Sequence, residues 1–128
     1  MFTWINAQAL LMLHGENLAV HGGALGIRDA GLLESALMRP RNLAAYETPD
    51  VFDCAASYAF GLVKNHPFVD GNKRIAFLSA ALFLRLNGFR LIANQEEATF
   101  SMLDLAASKI SEEDYALFLR QNSQVFRN

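Results

Sequence analysis

Apolar positions recur along most of the chain at helical spacing, separated by short polar or glycine-rich breaks. Leu10, Leu11, Leu13, Leu18 and Ala19 give a first helix, from Asn6 as its N-cap to about Val20, a broad apolar face. The run His21-Gly22-Gly23-Ala24-Leu25-Gly26 ends that pattern. Asp29 caps a short helix, Ala30 to Met38, which is expected to stop before Pro40. Residues 41–48 read as a connector with some helical character. Pro49-Asp50 opens a helix of about Val51 to Asn65, apolar on most faces. The next runs from about Asn72 to Leu86, is almost surrounded by residues such as Phe77, Leu78, Leu82 and Phe83, and stops at Asn87-Gly88. A helix apolar all round belongs in an interior, so these two helices are expected at the centre of the fold. Phe89 to Ile92 reads as a short extended piece. Asn94 caps a helix to about Ser108. Ser111 starts another, with Glu112, Glu113 and Asp114 where a helix's positive end favours acids.

Composition agrees with an all-α fold. Alanine and leucine total 38 residues, whereas the β-branched valine and isoleucine total 10. A chain of 128 residues is expected to form a single domain, 1–128. Eleven basic against 13 acidic residues leave a net charge of −2, which argues against a nucleic-acid partner. Arg39-Pro40-Arg41 beside Tyr46 is too small a basic patch to change that reading and is expected to be solvated surface. The single cysteine, Cys54, excludes an internal disulfide and any zinc site built on cysteine pairs, and its apolar surroundings predict a buried, inert thiol. The longest uncharged apolar runs, Cys54 to Val63 and Ile75 to Leu84, hold ten residues each, short of the ~20 that span a bilayer. With no signal-like stretch at Met1-Phe2-Thr3-Trp4, the expectation is a cytoplasmic protein with no membrane partner. His14 and His21 lie seven apart on one helix; without a third ligand they make a poor metal site, and exposed or capping roles are expected.

Chemistry concentrates in His66-Pro67-Phe68-Val69-Asp70-Gly71-Asn72-Lys73-Arg74, which joins the two central helices. Pro67 pushes His66 out of helical geometry, so the preceding helix ends there. Asp70-Gly71 is a turn signal, and Gly71 permits positive φ or close backbone approach to a ligand. The helix opening at Asn72 has unpartnered N–H groups and a positive dipole end, which together attract anions. Lys73 and Arg74 in its first turn oppose the dipole, and a bound polyanion such as a nucleotide's phosphates compensates them. Asp70 beside phosphates calls for a cation, and Mg²⁺ commonly bridges one or two carboxylates to phosphate oxygens. His66, with an unperturbed pKa near 6.5, suits a general base toward a hydroxyl. Phe68 is expected to point inward and anchor the loop. Taken singly, each residue also has an ordinary role: a helix end, a turn, an N-cap, or a surface cation paired with an acid. Gly22-Gly23-x-x-Gly26 follows no strand and lacks a Walker lysine, so it reads as an inter-helix loop.

The nine-residue string resembles the signature of the Fic/Doc superfamily, and within it the death-on-curing (Doc) toxin branch. The superfamily pattern, His-x-Phe-x-Asp/Glu-Gly-Asn-Gly-Arg-x-x-Arg, is met at His66, Phe68, Asp70, Gly71, Asn72 and Arg74. It is not met at Lys73, where Fic enzymes carry glycine, or at Phe77, where they carry arginine. The Doc pattern, His-x-Phe-x-Asp-x-Asn-Lys-Arg, is met at every specified position. Gly22 to Asp29 and Leu32 to Leu37 are also Doc-like. The resemblance implies a compact bundle of about six helices, with the active-site loop joining two central ones. It implies transfer of the γ-phosphate of ATP to a threonine hydroxyl of a translation factor, elongation factor Tu, and arrest of translation. Fic enzymes instead transfer AMP, and a non-catalytic module that binds only a nucleotide or antitoxin is a third reading. By position, His66 would be the base, Asp70 would hold Mg²⁺, and Gly71, Asn72, Lys73 and Arg74 would bind phosphates. Gly26, Ile27 and Arg28 would form a flap for the substrate, with Arg28 either guiding a peptide or pairing with Glu34. The resemblance also implies an antitoxin whose disordered tail folds into a groove of the toxin. The inhibitory helix motif of many Fic proteins fails at the last position of Ser108 to Glu113, a stretch read as an ordinary helix junction.

Overall fold

Local side-chain caps set where the chain turns helical. In the computed structural model, which describes residues 1–126, Asn6 Oδ1 accepts from the amides of Gln8 and Ala9 and starts α1, Ala7–His21. Asp29 starts α2, Ala30–Tyr46, by accepting from Leu32. Asp50 and Asp53 form a reciprocal capping box at the head of α3, Val51–Asn65. α4, Asn72–Leu86, begins at Gly71 with no side-chain cap. Asn94 caps α5, Gln95–Ala106, and Ser111 with Asp114 makes a second capping box for α6, Glu112–Gln121. The all-α expectation of about six helices therefore holds. The additional feature is a two-stranded antiparallel ribbon, β1 (Phe89–Leu91) with β2 (Ser123–Val125), in which Phe89 faces Val125. β1 was expected as an extended piece; β2 carries no sequence signal of its own.

α3 is the axis of the molecule, packed by α2, α4 and α6. Its residues from Cys54 to Ala59 are all fully buried, as are Gly61 and Leu62. α4 lies beside it with Ile75, Ala76, Ala80, Phe83 and Leu84 in the core. The two helices expected at the centre are there. Phe2 and Trp4 pack on Phe83 from the N-terminal segment, and the Ile5 amide donates to the buried Tyr58 hydroxyl.

Three expectations need correction. α2 does not stop before Pro40 but runs through it to Tyr46, absorbing part of the expected connector. Leu33, Ala36 and Pro40 form one buried stripe, and Ala36 lies so close to α3 that a Cβ on Gly61 would sit 3.2 Å from its Cα. Burial along that seam outweighs the backbone bond that proline removes. In α1 the buried face is Leu10, His14 and Leu18, whereas Leu11 and Ala19 are exposed. His14 is thus interior rather than an exposed or capping residue. Of the small basic patch, Arg41 is exposed as expected and lies over the Trp4 ring, but Arg39 is not simply solvated: it pairs with Glu112 at 2.5 Å and donates to Ser57 Oγ.

Candidate active site

The loop between α3 and α4 is built from the inside outward. Phe68 is 1% exposed and stacks on His14, with ring centroids 3.8 Å apart. His14, 4% exposed, hydrogen-bonds through Nε2 to the Asp70 carbonyl at 2.8 Å. The carbonyl only accepts, so Nε2 carries a proton. Gly71 then turns the chain with φ 76°, and a Cβ there would sit 3.5 Å from His14 Nε2 and 3.3 Å from Leu18. A side chain at this position would be strained in conformation and crowded by α1.

Asn72 ties the two ends of the loop together. Its Oδ1 accepts from the Phe68 amide at 3.0 Å, and its Nδ2 donates to the Phe68 carbonyl at 2.9 Å and to His66 Nδ1 at 3.1 Å. The Phe68 amide fixes which end of the carboxamide is oxygen. All polar capacity of this buried side chain but one lone pair is used inside the loop. What Asn72 offers to an anion is its backbone N–H. The same contact sets the His66 ring: Nδ1 accepts, so the neutral imidazole carries its proton on Nε2.

His66 is the C-cap of α3 and adopts a left-handed backbone, φ 52° and ψ 53°. That conformation costs a non-glycine residue about 1–2 kcal/mol and is further disfavoured before proline. The ring is exposed and shares one hollow with Asp70, Gly71, Asn72, Lys73 and Arg74. This hollow, about 790 Å³, continues to an apolar side formed by Phe77, Leu78, Ala98, Met102 and Leu103. Asn17 and His21 of α1 and Thr99 of α5 add polar groups. Asn17 and Thr99 do not stand out in sequence, and His21 does so only as a possible metal ligand, because tertiary packing alone brings the three to the loop. Lys73 and Arg74 are exposed, and among the described residues neither has a carboxylate within ion-pair distance. Two unpaired cations and three uncapped amides at the head of α4 give the hollow the chemistry that attracts anions.

Asp70 is exposed, and its Oδ2 accepts from the Ala24 amide at 3.1 Å. Among the described residues no three His, Cys, Asp or Glu side chains gather to hold a metal. A lone carboxylate beside a helix head suited to phosphates fits Mg²⁺, which commonly keeps waters and substrate oxygens as its other ligands. The segment Gly26-Ile27-Arg28 lies along the loop: Ile27 bridges Phe68, and the Val69 amide donates to the Gly26 carbonyl at 3.0 Å. Arg28 is bound to the carbonyls of Asn65 and His66. It forms no ion pair with Glu34 among the described residues. A larger hollow, about 1070 Å³, lies where α2 ends and α3 and α6 begin. It contains Arg39, Asp53 and Glu112 but no histidine, and the helix N-termini at its edge are already capped.

A model of the Fic/DOC family matches residues 4–84. "Protein kinase doc" of Escherichia phage P1 is 36% identical over 118 residues, covering 91% of this chain and 93% of that protein. "Toxin Doc" of Mycolicibacterium smegmatis is 44% identical over 77 residues, 57% of this chain and 58% of that protein.

Proposed function

The chain belongs to the Fic/DOC family, on its Doc branch, and from that premise we propose that it is the toxin of a toxin–antitoxin pair. It acts as a kinase, moving the γ-phosphate of ATP to a threonine hydroxyl of a translation factor, elongation factor Tu. The observation that carries this reading is the single hollow that joins His66, Asp70, the uncapped head of α4, Lys73 and Arg74. Lys73 and Phe77, both lining the hollow, support phosphate transfer over AMP transfer. They fill room and remove charge that the AMP-transferring orientation uses.

The residues divide the work. Lys73, Arg74 and the amides of Asn72, Lys73 and Arg74 bind and orient the phosphate chain. Asp70 would hold Mg²⁺, which when bound would supply neutralisation of the charge on the phosphate oxygens. The apolar side from Phe77 to Leu103 excludes water around the nucleoside. The acceptor hydroxyl attacks phosphorus, the bond from phosphorus to the leaving diphosphate oxygen breaks, and the hydroxyl's proton passes to His66. In the ring held by Asn72 the one basic lone pair is at Nδ1, where it accepts from Asn72 Nδ2, so Asn72 gives up that contact as the proton arrives. Phosphoryl transfer is loose, and the hydroxyl needs little deprotonation until late, so positioning supplies most of the rate. An antitoxin with a disordered tail restrains the activity in trans.

Labelled ATP tests the reading. Incubation with elongation factor Tu is expected to transfer label from the γ position and none from the α position. Label arriving only from the α position replaces kinase with AMP transfer. No label from either, with no binding of Mg·ATP, leaves the non-catalytic module.

A further inference from the structure

A substrate-guiding arginine needs a free guanidinium, but that of Arg28 is engaged. Its Nε donates to the His66 carbonyl at 2.6 Å and its Nη2 to the Asn65 carbonyl at 2.8 Å. These carbonyls end α3, where no further turn supplies donors and the helix dipole is negative. Around them the chain is fastened on both sides. The amides of Arg28 and Asp29 donate to the Pro67 carbonyl at 2.7 and 3.1 Å, and Asn65 Nδ2 donates to the Leu32 carbonyl at 3.0 Å. His66 sits in the middle with a left-handed backbone before proline, a conformation that relaxes unless it is held. Its side chain has one hydrogen-bond partner among the described residues, Asn72. Among the described residues its carbonyl accepts only from Arg28 Nε, while Arg28 Nη2 holds the neighbouring Asn65 carbonyl.

We propose that Arg28 is a positioning residue for His66: its guanidinium locks the carbonyls of Asn65 and His66 and so holds the turn that delivers the imidazole to Asn72 and the hollow. The inference rests on His66 acting in the transfer. Arg28 touches neither phosphate nor acceptor in this role, so its loss acts on rate rather than on binding. A peptide-guiding arginine would do the opposite.

The test uses Arg28→Gln and Arg28→Lys, each checked for fold by circular dichroism and Tm. Ring ¹⁵N resonances of the histidines are recorded without nucleotide or acceptor, and transfer kinetics are measured beside them. In Arg28→Gln the His66 signals are expected to lose the pattern of an accepting Nδ1, while those of His14 stay in place. The kcat is expected to fall about 10- to 100-fold. KM for ATP and for the acceptor is expected to stay within about twofold. Arg28→Lys, with one flexible ammonium in place of a fork, recovers part of the loss. His66 signals unchanged in a folded Arg28→Gln protein overturn the proposal, as does a loss confined to the acceptor's KM. If Arg28→Gln does not fold, the ring comparison is made on Arg28→Lys. If the wild type transfers nothing, the kinase reading fails by itself, and the ring signals still decide what Arg28 does.

Discussion

At the scale of single residues, exposure separates the groups proposed to act from those that hold them. His66, Asp70, Lys73 and Arg74 are exposed, whereas His14, Phe68 and Asn72 are buried beneath them. His66→Ala is expected to lower transfer by about 10²–10⁴-fold while leaving the circular dichroism spectrum unchanged. Asn72→Ala is different. It strands the amide and carbonyl of the buried Phe68 and is expected to cost about 1–3 kcal/mol of stability in denaturant titration as well as activity. The residues that share the hollow were legible in sequence because they are contiguous and chemically distinctive. His14 and Arg28 were not. Their spacing along α1 and in the glycine-rich segment says nothing of Asp70 or His66, which lie 56 and 38 residues away.

At the scale of elements, local chemistry and packing rule different features. The starts at Asn6, Asp50 and Ser111 were readable because a cap and its amides are neighbours. The course of α2 through Pro40 was not, since it depends on Gly61 admitting Ala36 from another helix. Gly61→Val should expose that dependence. Its Cβ meets backbone atoms of Ala36, and crowding of this kind costs about 1–3 kcal/mol, seen as a lowered Tm. The pairing of β1 with β2 likewise has no signature in three residues a side.

At the scale of the molecule, two titrating groups report on the whole fold. Burial acts to raise the Asp50 carboxyl, but the Asp53 amide and the Arg120 guanidinium outweigh it and hold it below its ordinary value of 3.8. A lowered carboxyl stabilises the fold fully above that ordinary value. The contribution is lost as pH falls below it and through the folded value. Melting temperature is therefore expected to drop on acidification below about pH 4, less steeply in Asp50→Asn. Cys54 is fully buried, and burial first, then the charges of Asp53 and Asp50, push its thiol up to about 12. Alkylation at pH 8 is expected to be negligible in the native protein and rapid in urea, so its rate measures opening of the core.

The dependence of the α3–α4 loop on α1 and on the segment before α2 limits how portable the chemistry is. Residues 66–74 spliced into an unrelated helical hairpin would arrive without the stacked imidazole below and the guanidinium beside them. Such a transplant should keep some appetite for phosphate and show no catalysis. Anyone borrowing this motif must carry over the first third of the chain with it.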